Sequence, residues 1–344
     1  MRLLTRSTAA LGALAVAFGM LTGSAEAKGP GESESEISTS GKRSGTELVS
    51  GITYSGTTRG SGSSSGKVTP AGDWTPPACW YEPRSAKEFS TYVEGMYEET
   101  INTPGQHSYA KASVGMFRDE YKDGKYRNYN LDQADQGNWW VAVRDEDRWM
   151  EPAAQTCDRA PFWVENGDTP DVPQAVTPEI LAELAYNRLR LPTAEVSLNP
   201  EQNAKVNLPT WAWLNKAAFK PVEVTAQLNV AGLDLRATTR AKPVSLKLEP
   251  GTEDAETHPA SGECALGEDG SIGEPYTRGD GDRTPPCGIT YLRASGDGTY
   301  PLKATITWEI SWTGTGSPEP KRLPDGTFGT TRNITVQEIQ AVNR

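Results

Sequence analysis

Histidine is nearly missing from this chain: its 344 residues include only His107 and His258. One imidazole in each half, each beside loop-forming residues, leaves no partner for a Ser-His-Asp triad or a His-based metal site, so both read as exposed loop side chains. Cysteine is also scarce, at four, and no C-x-x-C or H-x-x-H spacing occurs, which argues against a zinc site. Positive charge is in deficit. Lys and Arg total 34 against 45 for Asp and Glu, a formal net charge of −11, and a chain without a basic face is poorly suited to nucleic acid or anionic lipid. Apolar residues make up only 36% while Gly reaches 34 and Pro 25, a balance that disfavours helical bundles and points to short strands joined by turns.

Residues 1–27 have the layout of a secretory leader. Arg2 and Arg6 precede an apolar run over 11–21, and Ala25-Glu26-Ala27 puts small residues where a signal peptidase cuts. The run is shorter than the roughly 20 residues that cross a bilayer. Cleavage after Ala27 and release without a membrane span is the expectation, with the protein secreted to the medium or held at the cell wall. Loss of Arg2, Arg6 and Glu26 leaves a formal charge of −12. In an oxidising compartment an even number of cysteines favours disulfides. Pairing Cys79 with Cys157 and Cys264 with Cys287 keeps each bridge inside one proposed domain.

The chain divides by texture. Residues 28–72 are rich in Gly, Ser, Thr and Glu and too poor in large apolar side chains to offset the entropy of ordering, so they read as a disordered linker. Gly62-Ser63-Ser64-Ser65-Gly66 matches the G-x-S-x-G of a nucleophile elbow, and Gly66-Lys67 the end of a phosphate loop. Neither has the strand before and the helix after that these motifs need, and Ser61 and Val68 break the phosphate-loop pattern. Residues 73–173 concentrate aromatics, from Trp74 and Trp80 to Trp149 and Trp163, enough for a small α+β domain closed by Cys79 and Cys157. Within it, Ser85 with Glu88 spells a capping box opening a helix over 85–99. Lys122-Asp123-Gly124-Lys125 predicts a turn between short strands, and residues 138–143 predict a strand. Residues 174–206 hold a connector helix, with Thr177 as N-cap, Pro178 in the first helical position, and Ile180, Leu181, Leu184, Ala185 and Leu189 on one stripe.

Residues 207–344 read as an antiparallel β-sandwich. The clearest strand is 300–312, where Leu302, Ala304, Ile306, Trp308, Ile310 and Trp312 alternate with Lys303, Thr305, Thr307, Glu309 and Ser311, the period of a strand with one buried face. Residues 222–230 alternate likewise, and Ala231-Gly232 turns the chain into Leu233, Leu235 and Ala237. A separate strand covers 244–248, and others cover 208–214 and 330–342. Between them, 249–286 forms a long acidic excursion tied by Cys264 and Cys287. The fold class expected is therefore mainly β with a smaller α+β part, with roughly seven strands in the C-terminal sandwich.

Two strings in that last third carry a resemblance. Cys287-Gly288-Ile289-Thr290-Tyr291, followed by Gly298-Thr299-Tyr300-Pro301-Leu302-Lys303-Ala304-Thr305-Ile306-Thr307-Trp308, resembles the C-terminal half of a PKD domain, an Ig-like module. With Cys79-Trp80-Tyr81-Glu82-Pro83, Ser197-Leu198-Asn199-Pro200 and Leu208-Pro209-Thr210-Trp211-Ala212-Trp213, the chain from about Asp73 resembles a group of secreted actinobacterial proteins with such a C-terminal domain. The W-x-F-G-D-G string usual in PKD domains is replaced here by Ser245-Leu246-Lys247-Leu248-Glu249-Pro250-Gly251-Thr252. The resemblance implies extracellular binding, adhesion or spacing, and no catalytic residues.

Candidate sites are few. Asp145, Glu146 and Asp147 lie near Trp139, Trp140 and Trp149, an acid-and-aromatic neighbourhood of the kind glycosidases use. Adjacent Trp139 and Trp140 must point opposite ways on a strand, so one of them is a candidate for exposure and for stacking on a sugar. Trp139, Trp140, Asp145 and Asp147 are the candidate ligand-binding residues. The acidic residues from Glu253 to Asp282 lack the ordered spacing of a calcium loop and read as solvated. The expectation is an exported, non-catalytic protein without metal or cofactor that binds a cell-wall glycan or a surface protein. A glycan hydrolase using the carboxylates near Trp139, Trp140 and Trp149 is the alternative.

Overall fold

The computed structural model describes residues 35–36, 50–58, 65–192, 196–214, 220–230 and 232–339. The expected leader, most of the 28–72 linker and residues 62–64 of the G-x-S-x-G string lie outside them. The chain is mainly β, with 43% strand and 21% helix, and its sheets are largely antiparallel. Strand Tyr300–Gly314 runs through the middle of the largest sheet, between Leu233–Glu249 on one side and Ser317–Gln337 on the other. Its alternation predicts the outcome: Leu302, Ala304, Ile306, Trp308, Ile310 and Trp312 are all buried. At about 1.5–3 kcal/mol for each large side chain removed from water, this row is a main source of stability.

Three strand boundaries differ from the sequence reading. The expected pair of strands at 233–237 and 244–248 is one strand, Leu233–Glu249, whose register shifts between Pro243 and Ser245. Pro243 has no N–H to give the ladder, and a bulge absorbs that gap without ending the strand. Ser317–Gln337 begins well before residue 330 because its prolines and glycines, which read as a loop, fall along a strand with few partners on its outer side. Gly326 stands opposite Trp308, where a Cβ would come within 2.3 Å of Val68 Cγ1. The third difference is in the expected linker. Thr53–Thr58 is a strand paired with Val222–Val230, and Ile52, Tyr54 and Val68 are buried.

The acidic excursion is also structured. It contributes strand Ala255–His258 to a four-stranded sheet with Gly288–Tyr291, Pro209–Trp213 and Ser197–Asn199, and strand Glu263–Ala265 to the large sheet. The Cys264–Cys287 bridge joins these pieces. His258 is not a free loop side chain: its Nε2 lies 2.9 Å from Thr290 Oγ1 on the neighbouring strand.

Helix α3, Pro178–Arg188, covers the large sheet. Thr177 Oγ1 accepts the Ile180 N–H at 3.2 Å, and Thr239 Oγ1 donates to the Ala182 carbonyl at 2.8 Å, fixing helix to sheet. Leu181, Ala182, Leu184, Ala185 and Tyr186 are buried, so the helix is covered on most sides.

A smaller sheet of Cys79–Arg84, Gly137–Arg144 and Phe162–Glu165 carries the aromatic-rich part. Helix α1, Ala86–Asn102, starts at the capping box foreseen from Ser85 and Glu88. The next segment departs from expectation. Lys122-Asp123-Gly124-Lys125 follows a helix, α2, Ser108–Lys122, rather than a strand. Glu94 on α1 is the hub that binds the two: it accepts from Arg118 Nε at 2.7 Å, Lys122 Nζ at 2.8 Å and Tyr129 Oη at 2.7 Å. Burial pushes the Glu94 carboxyl up, but these three donors outweigh it and hold it down at about 2. Tyr129 is the middle of three consecutive left-handed residues, Asn128, Tyr129 and Asn130, with φ of 48°, 56° and 55°. Such backbone costs about 1–2 kcal/mol per residue, and it is held from both ends of Tyr129, by the hydroxyl on Glu94 and by Trp139 Nε1, which donates to the Tyr129 carbonyl at 2.8 Å.

The sulfurs pair as Cys79–Cys157 and Cys264–Cys287, as the sequence predicts. From loop length alone the first bridge contributes about 4 kcal/mol and the second about 3 kcal/mol by restricting the unfolded chain.

Candidate ligand-binding site

The expectation that Trp139 or Trp140 faces solvent fails. Trp139 is 0% exposed and Trp140 6%. The small sheet is covered on both faces, so adjacent side chains pointing in opposite directions enter two different cores. Trp139 stacks on Phe89 with ring centroids 4.4 Å apart and meets Tyr121, Tyr126 and Trp163 edge-on. Trp140 belongs to the larger core with Tyr81 and Phe162. The unbroken run Trp139-Trp140-Val141-Ala142-Val143 carried this signal, because a strand buried on both sides does not alternate.

The ring that does reach solvent is Trp149, which is 58% exposed. It stands on the wall of a cavity of about 580 Å³ that also draws Ser50 and Tyr54 from the N-terminal strand region, Trp80 and residues 142–146 from the small sheet and its following turn, Tyr92 from α1, and Leu184, Asn187 and Arg188 from α3. Of the residues foreseen as ligand-binding, Asp145 lines this cavity, together with its neighbour Glu146. Asp147 is exposed and is not part of the wall.

Asp145 shapes the turn that holds Trp149. One carboxylate oxygen accepts the Asp147 N–H at 2.9 Å and the other accepts Asn187 Nδ2 at 3.2 Å. Its own N–H donates to the Ala78 carbonyl at 2.9 Å. Arg148 donates to the Pro76 carbonyl at 2.6 Å and grips Glu151, while Gln155 Nε2 donates to the Trp149 carbonyl at 2.8 Å. These bonds fix the backbone of the loop that carries the exposed indole.

Beneath Trp80 lies a fully buried carboxylate, Glu82. It accepts from Ser50 Oγ at 2.5 Å, Gly51 N at 2.8 Å, Trp80 Nε1 at 2.6 Å and Arg84 Nη1 at 2.7 Å. A buried charge is tolerated only when paired and hydrogen-bonded, and here the donors come from two segments about thirty residues apart, so the ion is also a clasp between them. The indole that forms part of the cavity is thereby set in orientation. Tyr54, the neighbour of this clasp, has its phenol pushed up to about 12, chiefly by burial, against the opposing pull of Arg188. The Arg188 guanidinium carbon lies 5.1 Å from the Tyr54 ring centroid.

On α3 and one residue from Leu184 in the wall, Glu183 is half-buried, and its carboxyl is pushed up to about 7 by burial and then by Glu179. Among the described residues no group of three or more His, Cys, Asp or Glu is placed to hold a metal ion. No helix of the described residues is long and apolar enough to cross a membrane. No family model, curated protein or solved structure matches the chain.

Proposed function

We propose that this chain is an exported, non-catalytic binding protein that holds a glycan against Trp149, with the large sheet and the sheet facing it serving as an Ig/PKD-like scaffold. The observation that carries the reading is the fixed, 58% exposed indole beside a cavity of about 580 Å³. Sugar rings present C–H faces to an aromatic plane and hydroxyls to surrounding amides, carboxylates and guanidinium groups, and the wall offers both kinds of surface. Two disulfides suit an oxidising compartment and support export. The alternation along 300–312 and the Cys287 to Trp308 strings support the PKD-like assignment.

One observation favours the hydrolase alternative: Asp145 and Glu146 both line the cavity. The hydrogen bonds of Asp145 count against it, since both of its oxygens are occupied in shaping the turn. Titration of the protein and of Trp149→Ala with an oligosaccharide array, alongside a reducing-sugar assay, separates these readings. Binding lost in Trp149→Ala without sugar release supports the binding protein; binding unchanged in that variant removes the site; sugar release abolished by Glu146→Gln transfers the reading to the hydrolase.

A further inference from the structure

Arg188 sets the chemistry of the cavity. It projects from the last turn of α3, lines the wall and is half-buried, yet it makes no ion pair with a described carboxylate. The wall carboxylate Asp145 is already held by Asn187 and the Asp147 N–H. Arg188 lies over the Tyr54 ring, 5.1 Å from its centroid, and its hydrogen bonding to the Tyr54 phenol engages part of its set of five N–H donors, leaving the rest for another partner. A planar guanidinium edge matches a carboxylate through two parallel hydrogen bonds. Resting on the glycan reading above, we infer that the ligand is an acidic saccharide of the uronic-acid class, with a ring stacked on Trp149 and its carboxylate paired with Arg188.

The chain's formal charge of −11 opposes an anion at long range. A preference for an acidic sugar over the same sugar without charge is therefore a local property of this pair rather than general attraction. The full protein is titrated by calorimetry with a galacturonic-acid trimer, its methyl ester and a neutral galactose trimer. The expected result is affinity for the acid about tenfold or more above that for the ester, the factor that one favourable charged contact supplies. Arg188→Gln should abolish the preference, bringing the acid to the level that the ester reaches in the same variant, and Arg188→Lys, which keeps charge but loses the planar edge, should leave an intermediate preference. Equal affinity of the wild-type protein for acid and ester overturns this inference and leaves the glycan reading standing. Binding of none of the three overturns both. Retention of the acid preference in Arg188→Gln, with the variant's circular dichroism unchanged, also overturns it.

Discussion

The long-stranded sheet and the aromatic-packed part of the molecule are held together in different ways. In the sheet, Ile306, Trp308 and Ile310 are each 0% exposed and lie in one continuous row, and the stabilising work is spread along a seam. In the aromatic part, a few side chains act as hubs: Glu94 takes three donors from α2 and the Tyr129 segment, and Glu82 takes four from the small sheet and the N-terminal strand region. Seams tolerate loss gradually, because each side chain adds its own increment. A hub loses its contacts together, since removing the acceptor leaves several donors unpaired at once. The candidate site lies where the two kinds of construction meet.

The largest effect should come from the seam. Trp308→Ala is expected to cost about 4 kcal/mol, the range for emptying a fully buried indole site, and urea unfolding followed by far-UV dichroism measures it; a loss under about 1 kcal/mol would place the core elsewhere. Next is the hub at Glu82. Glu82→Ala strips Arg84, Trp80, Ser50 and Gly51 of their acceptor and should cost about 3 kcal/mol, with amide-exchange protection lost in Thr53–Thr58 before it is lost in Tyr300–Gly314. Loss of protection in both strands together would show that the clasp and the seam are one cooperative unit.

The smallest effects are pH-dependent and opposite in sign in the two regions. Glu94, held at about 2 against an ordinary 4.5, contributes stability that is present above about pH 4.5 and lost as pH falls toward about 2. Glu183, pushed up to about 7, favours the folded state fully below about pH 4.5 and loses that contribution as pH rises through about 7. Glu183→Gln should accordingly gain about 1 kcal/mol over wild type at pH 8 and nothing at pH 4, a figure reduced for partial exposure. Glu94→Gln should instead be destabilising at pH 7 and neutral near pH 2. Thermal melts of both variants across pH 2–8 test the contrast, and curves of the same sign would dissolve it.

The seam was legible in the amino-acid order because a strand with one wet face writes its period directly, as in residues 300–312 and 222–230. So were α1 and α3, whose caps, Ser85 with Glu88 and Thr177 with Pro178, are local chemistry. The hubs were not legible. Helix α2 was missed because its N-cap, His107, makes no side-chain capping bond, and its anchoring to Glu94 spans more than twenty residues. Thr53–Thr58 was read as linker since its order comes from pairing with Val222–Val230 and from the Glu82 clasp, neither of which leaves a trace in a Gly- and Thr-rich string. Of the residues that the sequence singles out, Asp145 lines the cavity beside Trp149, while Trp139 and Trp140 lie in the cores and Asp147 off the wall.

The clasp between Ser50, Gly51 and Glu82 bears on where the protein can be trimmed. By texture alone, an expression boundary at Asp73 looks harmless, since it discards only a polar leader-proximal stretch. Such a cut would take away the outer strand, bare the backbone edge of Val222–Val230 to other molecules, remove Tyr54 from beneath Arg188 and strand a carboxylate in the interior. The shortened protein should clump on purification, and that fault would then be mistaken for a property of the intact chain.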